Sequence, residues 1–129
     1  KLVLVAAGGN WGRADKPAYP AAYKGVIAVT AISDQGLIYS KANTGKYIDF
    51  AAPGVKVYTA APGGGGRLQS GTSFATPFIT ALMGLEIAKG NAKTVSALDA
   101  LLRKNIKDLG LPGRDDVFGW GFARRKPKC

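Results

Sequence analysis

Residues 2–7, Leu-Val-Leu-Val-Ala-Ala, are apolar at every position instead of at every second one, and residues 26–31, Val-Ile-Ala-Val-Thr-Ala, repeat the pattern with one hydroxyl. Runs of this kind suit strands covered on both faces, as in a parallel sheet flanked by helices. Between them lies a stretch rich in breakers, Gly8, Gly9, Asn10, Trp11 and Gly12 followed by Pro17, Tyr19 and Pro20, which predicts a long loop. Shorter strands are predicted at 47–51 and 55–60, on either side of Pro53-Gly54. Residues 73–89 are apolar almost all round and predict a buried helix ended by Gly90. Residues 94–104 predict an amphipathic helix with Thr94 as its cap and Val95, Leu98, Leu101 and Leu102 on one side. The order of these elements gives an α/β class with a parallel sheet flanked by helices.

Composition narrows the picture without changing it. The 129 residues are one domain's worth of chain, and 47% hydrophobic content is enough for one core. Eighteen Lys and Arg against eight Asp and Glu give a net charge of +10. That balance would favour a polyanion if the charge were gathered on one face. The basic residues are instead scattered singly, except for Arg124, Arg125, Lys126 and Lys128. The expected division is therefore a folded region at 1–122 and a solvated basic tail at 123–129. The single cysteine, Cys129, excludes an intrachain disulfide framework, and without any histidine a transition-metal site has few ligands to draw on. The longest uncharged apolar run, residues 73–85, falls short of the roughly 20 residues a bilayer span requires. Lys1 stands directly before a strand-like run, a start that reads as cut.

Candidate chemistry gathers at Gly71-Thr72-Ser73-Phe74-Ala75-Thr76-Pro77. Gly71 permits a sharp turn and a close substrate approach. Thr72 and Ser73 open the helix, where free backbone amides and the positive end of the helix dipole favour a developing anion. Pro77 cannot donate to the Ser73 carbonyl four residues back, which loosens the first turn. A capping Thr and Ser in front of a core helix would use the same letters, and local physics alone leaves both readings open. Asn10 taken alone is a turn residue among glycines. The glycines at 63–66 precede the helix but lack the Lys-Ser/Thr pair of a phosphate loop, so they are read as a surface loop leading to the serine, able to lie along a bound chain as an extended edge.

The heptapeptide resembles the nucleophile motif of the subtilisin-like serine proteases. Other stretches match that family in order: Val5-Ala6-Ala7-Gly8-Gly9-Asn10 is similar to its strand ending in the oxyanion asparagine. Tyr19-Pro20-Ala21 with Val26-Ile27-Ala28-Val29 resembles its tyrosine-proline turn and next core strand. Asp49-Phe50-Ala51-Ala52-Pro53-Gly54-Val55 and Phe118-Gly119-Trp120-Gly121 resemble segments before the serine and at the close. The likeness covers residues 1 to about 122. It implies that Ser73 is the nucleophile, that Asn10 and the Ser73 amide donate to the oxyanion, and that Thr72 supports them. It further implies that Ala7, Gly8, Gly9 and Ala18 line the primary specificity pocket, where small side chains leave room for a sizeable apolar one. Tyr19-Pro20, at a tight turn, is a candidate cis peptide.

In this family the triad runs Asp, His, Ser along the chain, and the first two precede the segment resembled here. The resemblance therefore implies the second half of a catalytic domain, an endopeptidase whose serine lacks a base in this chain and is close to inert alone. Lysines are plentiful, but none stands at a recognisable dyad spacing from Ser73. Acid-active relatives use a glutamate base with aspartate at the oxyanion position, and Asn10 argues for the histidine type. Phe78 stands where histidine is common, and Phe74 where methionine or alanine is frequent, narrowing the leaving-group side. No cofactor is evident. A structural calcium belongs to the family's parent proteins, and the short loop between Asn10 and Tyr19 does not support one here. The expected partners are a polypeptide substrate and either the complementary half of the domain or a second copy, because unpaired sheet edges and apolar faces need cover. No specific nucleic acid and no membrane span are expected. Export from the cytoplasm, to the periplasm or beyond the cell, follows from the resemblance. The competing reading is a non-catalytic module of the same fold whose basic tail holds a polyanion or a partner protein.

Overall fold

A computed structural model of the chain describes residues 2–125. Lys126, Lys128 and Cys129, with which the expected tail ends, and the opening Lys1 lie outside the described residues. The chain runs β1 (Leu4–Ala7), β2 (Val26–Ile32), β3 (Phe50–Pro53), β4 (Val57–Ala60), β5 (Gly66–Gln69), α1 (Thr72–Ala88), α2 (Val95–Arg103), β6 (Ile106–Lys107) and β7 (Phe122–Ala123).

Five strands form one sheet in the order β1-β2-β3-β7-β6. The β1–β2, β2–β3 and β3–β7 pairs are parallel, with Leu4 opposite Val26, Val29 opposite Phe50 and Ala51 opposite Phe122; only β6 runs against its neighbour. Parallel pairing puts the C-terminal ends of β1, β2 and β3 at one rim, which is where such sheets bear their sites. Ile27, Val29 and Ala31 of β2 and Phe50 and Ala52 of β3 join a core with Ala75, Ile79 and Met83 of α1 and Leu102 of α2. The alternate residues Ala28, Thr30 and Ile32 are buried too, so β2 is covered on both faces, as its unbroken apolar run requires. Residues 2–7 behave differently. Their strand begins only at Leu4, forms one edge of the described sheet, and leaves Leu4 more than half exposed.

The 73–89 segment is helical, starting one residue earlier than expected, but it is buried on one face only. Thr72, Ala75, Ile79 and Met83, spaced three and four apart, turn inward, whereas Phe78, Leu85 and Ile87 are exposed. Burying Ile79 and Met83 contributes about 1.5–3 kcal/mol each. Gly90 follows the helix at φ +73°, a left-handed stop. Thr94 caps α2 as expected, its side chain accepting from the Ala97 amide at 3.1 Å. Gly63, Gly64 and Gly65 lie at the tip of a hairpin, in which the carbonyl of Gly65 accepts from Ala61 and that of Ala61 from Gly64, and the strand that Gly66 opens, β5, went unread in the sequence. The strand expected at 47–51 begins three residues later and ends two later, as β3.

The Tyr19-Pro20 peptide is cis. Asp49 sits just before β3 and its Oδ2 accepts from the Ala28 amide of β2 at 2.8 Å. Burial raises its pKa above the usual 3.8, the Ala28 hydrogen bond opposing the shift. Asp99 on α2 is raised as well, by burial first, against the attraction of Arg103, with which it forms an ion pair. The Arg103 guanidinium in turn lies 3.9 Å above the ring of Trp120.

Candidate active site

Three chain segments meet at the rim formed by the ends of β1 and β3. After β1 the chain passes through Gly8 and Gly9 to Asn10. After β3 it reaches Gly54, whose carbonyl accepts from the Gly71 amide at 2.8 Å and so draws the start of α1 against the sheet. A Cβ on Gly54 would lie 2.5 Å from Ala31 Cβ and 2.8 Å from the Gly71 carbonyl oxygen, so only glycine permits this approach.

Thr72 and Ser73 open α1, with Gly71 before them as an N-cap that has no side chain to offer. The Thr72 amide, one of the unsatisfied donors of a helix start, is taken by Oδ1 of Asn10 at 2.8 Å. The Thr72 hydroxyl donates to the same oxygen at 2.9 Å and accepts from the Gly9 amide at 3.2 Å. Thr72 is fully buried, so its end of this small network is shielded from water. Because a backbone N–H can only donate, the atom facing it must be the amide oxygen of Asn10, and Nδ2 points the other way. Among the described residues, neither Nδ2 of Asn10 nor the backbone amide of Ser73 has a protein acceptor. The positions of these donors at a helix N-terminus suit a developing negative charge. Ser73 itself is exposed and its hydroxyl has no protein partner among the described residues. The Thr76 hydroxyl returns to the Thr72 carbonyl at 2.9 Å, while Pro77 offers the Ser73 carbonyl no helical donor.

The other residues singled out in the sequence fall around this point. Ala7 ends β1 opposite Val29. Gly8 is buried, its amide bound to the Val29 carbonyl at 2.8 Å and its own carbonyl accepting from the Tyr47 hydroxyl at 2.6 Å. Gly9, at φ +107°, is packed so closely that a Cβ would lie 3.0 Å from Ala18 Cβ. Ala18 lines a depression of about 380 Å³ with Trp11, Arg13, Lys16, Pro17 and Tyr19. Ala7, Gly8 and Gly9 are not among its lining. Phe74 is partly buried and approaches the open side of Gly71, whereas Phe78 projects outward. Among the described residues the one lysine side chain in a hydrogen bond is Lys89, with Glu86, far along α1 from Ser73. No group of three or more His, Cys, Asp or Glu that could hold a metal ion comes together among the described residues, and no helix there is long and apolar enough to cross a membrane.

Sequence reasoning passed over Asn43 and Tyr47. Asn43 is fully buried, its Oδ1 accepting from the Trp11 amide at 2.9 Å and the Arg13 amide at 3.2 Å. Its own backbone amide donates to the Gly9 carbonyl at 2.9 Å. A buried asparagine has no periodicity or spacing that distinguishes it from a turn residue, and Ala42-Asn43-Thr44-Gly45 has the composition of an ordinary loop.

Known proteins show the same arrangement of chain. The minor extracellular protease Epr of Bacillus subtilis strain 168 is 39% identical over 128 residues, which is 99% of this chain and 20% of that protein. The thermostable alkaline protease of Halalkalibacterium halodurans is 34% identical over 95% of this chain and 33% of its own length. Among solved structures, a lanthipeptide protease superposes with a TM-score of 0.83 at 24% identity, and the prenylagaramide maturation protease PagA with 0.78 at 29%. Each of those two matches covers 95% of this chain and 48% of the other. The chain thus spans about half the length of these structures and a third or less of these two curated relatives. A family model described as the subtilase family matches residues 1–121, and the chain belongs to that family.

Proposed function

We propose that this chain carries the nucleophile and oxyanion site of a serine endopeptidase that cleaves peptide bonds through an acyl-enzyme on Ser73. The observation that carries the reading is the orientation of Asn10: its oxygen is tied down by the two donors of Thr72, which leaves Nδ2 without a protein acceptor among the described residues, at the helix start that bears Ser73. In this reading Ser73 Oγ adds to the scissile carbonyl. The carbonyl oxygen, now negative, is met by Asn10 Nδ2 and the Ser73 amide, at a helix end whose dipole favours it. Thr72 supports the pocket by holding Asn10. Expulsion of the amine leaves an ester on Ser73, which water then hydrolyses. The depression beside Ala18, lined also by Trp11, Arg13, Lys16, Pro17 and Tyr19, would take the side chain preceding the scissile bond.

A serine hydroxyl is almost wholly protonated near neutral pH and needs a base, and this chain contains no histidine. The base and its orienting carboxylate would then be supplied by other residues of a longer parent protein, and the 129-residue chain alone would be nearly inert. A polypeptide substrate and export from the cell are the reading supported by relatives such as the minor extracellular protease Epr and a cell wall-associated protease of Bacillus subtilis. A fluorophosphonate probe tests the reading. It should label Ser73 of the full-length protein and scarcely label the 129-residue chain. Equal labelling of both would contradict the requirement for an outside base, and labelling of neither would contradict the assignment of Ser73.

A further inference from the structure

We infer that Asn43 is the positioning residue for the oxyanion donor Asn10, an assignment that rests on the protease reading above. Asn10 belongs to no strand or helix, so the direction of its carboxamide depends on how the surrounding loop is held. Thr72 fixes one end of that side chain, through its oxygen. The loop itself is held from the opposite side by residues 41–44. Asn43 receives the amides of Trp11 and Arg13 on its side-chain oxygen and gives its own amide to the Gly9 carbonyl, gripping residues one before, one after and three after Asn10. The Lys41 carbonyl accepts from Gly12 at 2.8 Å and the Arg13 carbonyl accepts from Thr44 at 3.0 Å. Within the 9–13 stretch the bonds to α1 are those of the Asn10 side-chain oxygen and the Gly9 amide, both to Thr72.

The chemistry of the side chain suits this task. One neutral oxygen at full burial accepts two backbone amides, which a shorter hydroxyl would not span and a carboxylate would do only with a buried charge. Nδ2 of Asn43 is buried with no hydrogen-bond partner, and a Cβ on Gly9 would collide with it, so this residue is pressed directly against the backbone it shapes. An unpaired interior donor costs stability, which reduces what Asn43 can add to the fold and leaves the path of the loop as its main effect.

The test uses the full-length protein with a chromogenic peptide substrate, every rate being divided by the concentration of sites titrated with a fluorophosphonate. Asn43→Leu keeps the volume and removes the acceptor; kcat per site should fall about 10- to 100-fold while KM changes by less than about threefold. Asn43→Asp keeps the acceptor and should recover most of that loss. Because Asn43 acts through Asn10, the double variant Asn10→Ala/Asn43→Leu should be no slower than Asn10→Ala alone. If Asn43→Leu does not fold, Asn43→Ser, which retains a shorter acceptor, enters the same cycle. An unchanged kcat per titrated site, or losses that multiply in the double variant, overturns the assignment while leaving Ser73 as nucleophile. A wild-type protein that turns over no substrate overturns the protease reading and this assignment with it.

Discussion

The Thr72 hydroxyl bridges Gly9 and Asn10, the two residues that bring the end of β1 to the start of α1. Thr72→Val keeps the shape and deletes the bridge. It should leave the buried Gly9 amide unpaired and lower stability by about 1–3 kcal/mol, measured by denaturant unfolding. In the full-length protein kcat should fall by about tenfold, the equivalent of one hydrogen bond, since the Thr72 amide still holds the Asn10 oxygen. Asp49 offers a pH test. Its folded pKa is raised, mainly by burial, so the protonated form favours the fold. Its stabilising contribution is complete below the unfolded value near 3.8 and is lost as pH rises through the folded value. Asp49→Asn, which can still accept from Ala28, should flatten stability over that window. A pH profile identical to wild type would show that Asp49 is not the group responsible. The individual side chains Ser73 and Asn10 were legible because a motif named them; Asn43 was not, since what makes it matter is burial and two distant amides, neither of which leaves a local trace.

At the scale of elements, the join between β3 and α1 depends on Gly54, where the chain passes within contact of Ala31 and Gly71. Gly54→Ala should cost about 1–3 kcal/mol by overpacking and should also reduce turnover, because the start of α1 can retreat only by moving Thr72 away from Asn10. Thermal unfolding and kcat measured on the same variant check both parts, and a stable, fully active variant would contradict the packing described. The helices were readable from the sequence because caps and breakers bound them, Thr94 before α2 and Gly90 after α1. The burial of α1 was overstated because its apolar letters run all round, and letters do not tell which face meets the sheet. The strand β5 was hidden in Gly66-Arg67-Leu68-Gln69, which has no alternating apolar pattern, and is set by pairing with β4 across the glycine tip. The extended strand β2 was plain because both of its faces are covered, whereas β1, an edge of the described sheet, starts later than its apolar run.

At the scale of the whole molecule, α1 exposes Phe78, Leu85 and Ile87, and β1 is an edge strand of the sheet formed by the described residues, with Leu4 exposed. A surface of this kind favours cover by another polypeptide. The 129-residue chain in solution should therefore associate with itself, and sedimentation should show a concentration-dependent mass; a compact monomer at all concentrations would contradict this. The α/β class and the family were legible from a few ordered motifs, since each marks a place where backbone and side chain must meet closely. The central claim is spatial: Asn10 Nδ2 and the Ser73 amide share one anion-sized pocket beside the Ser73 hydroxyl. A crystal structure of the full-length protein with a peptide boronic acid tests it most directly. The account requires boron bonded to Ser73 Oγ and one boronate oxygen within hydrogen-bond distance of both donors. Boron attached to another residue, or that oxygen directed away from Asn10, would contradict it.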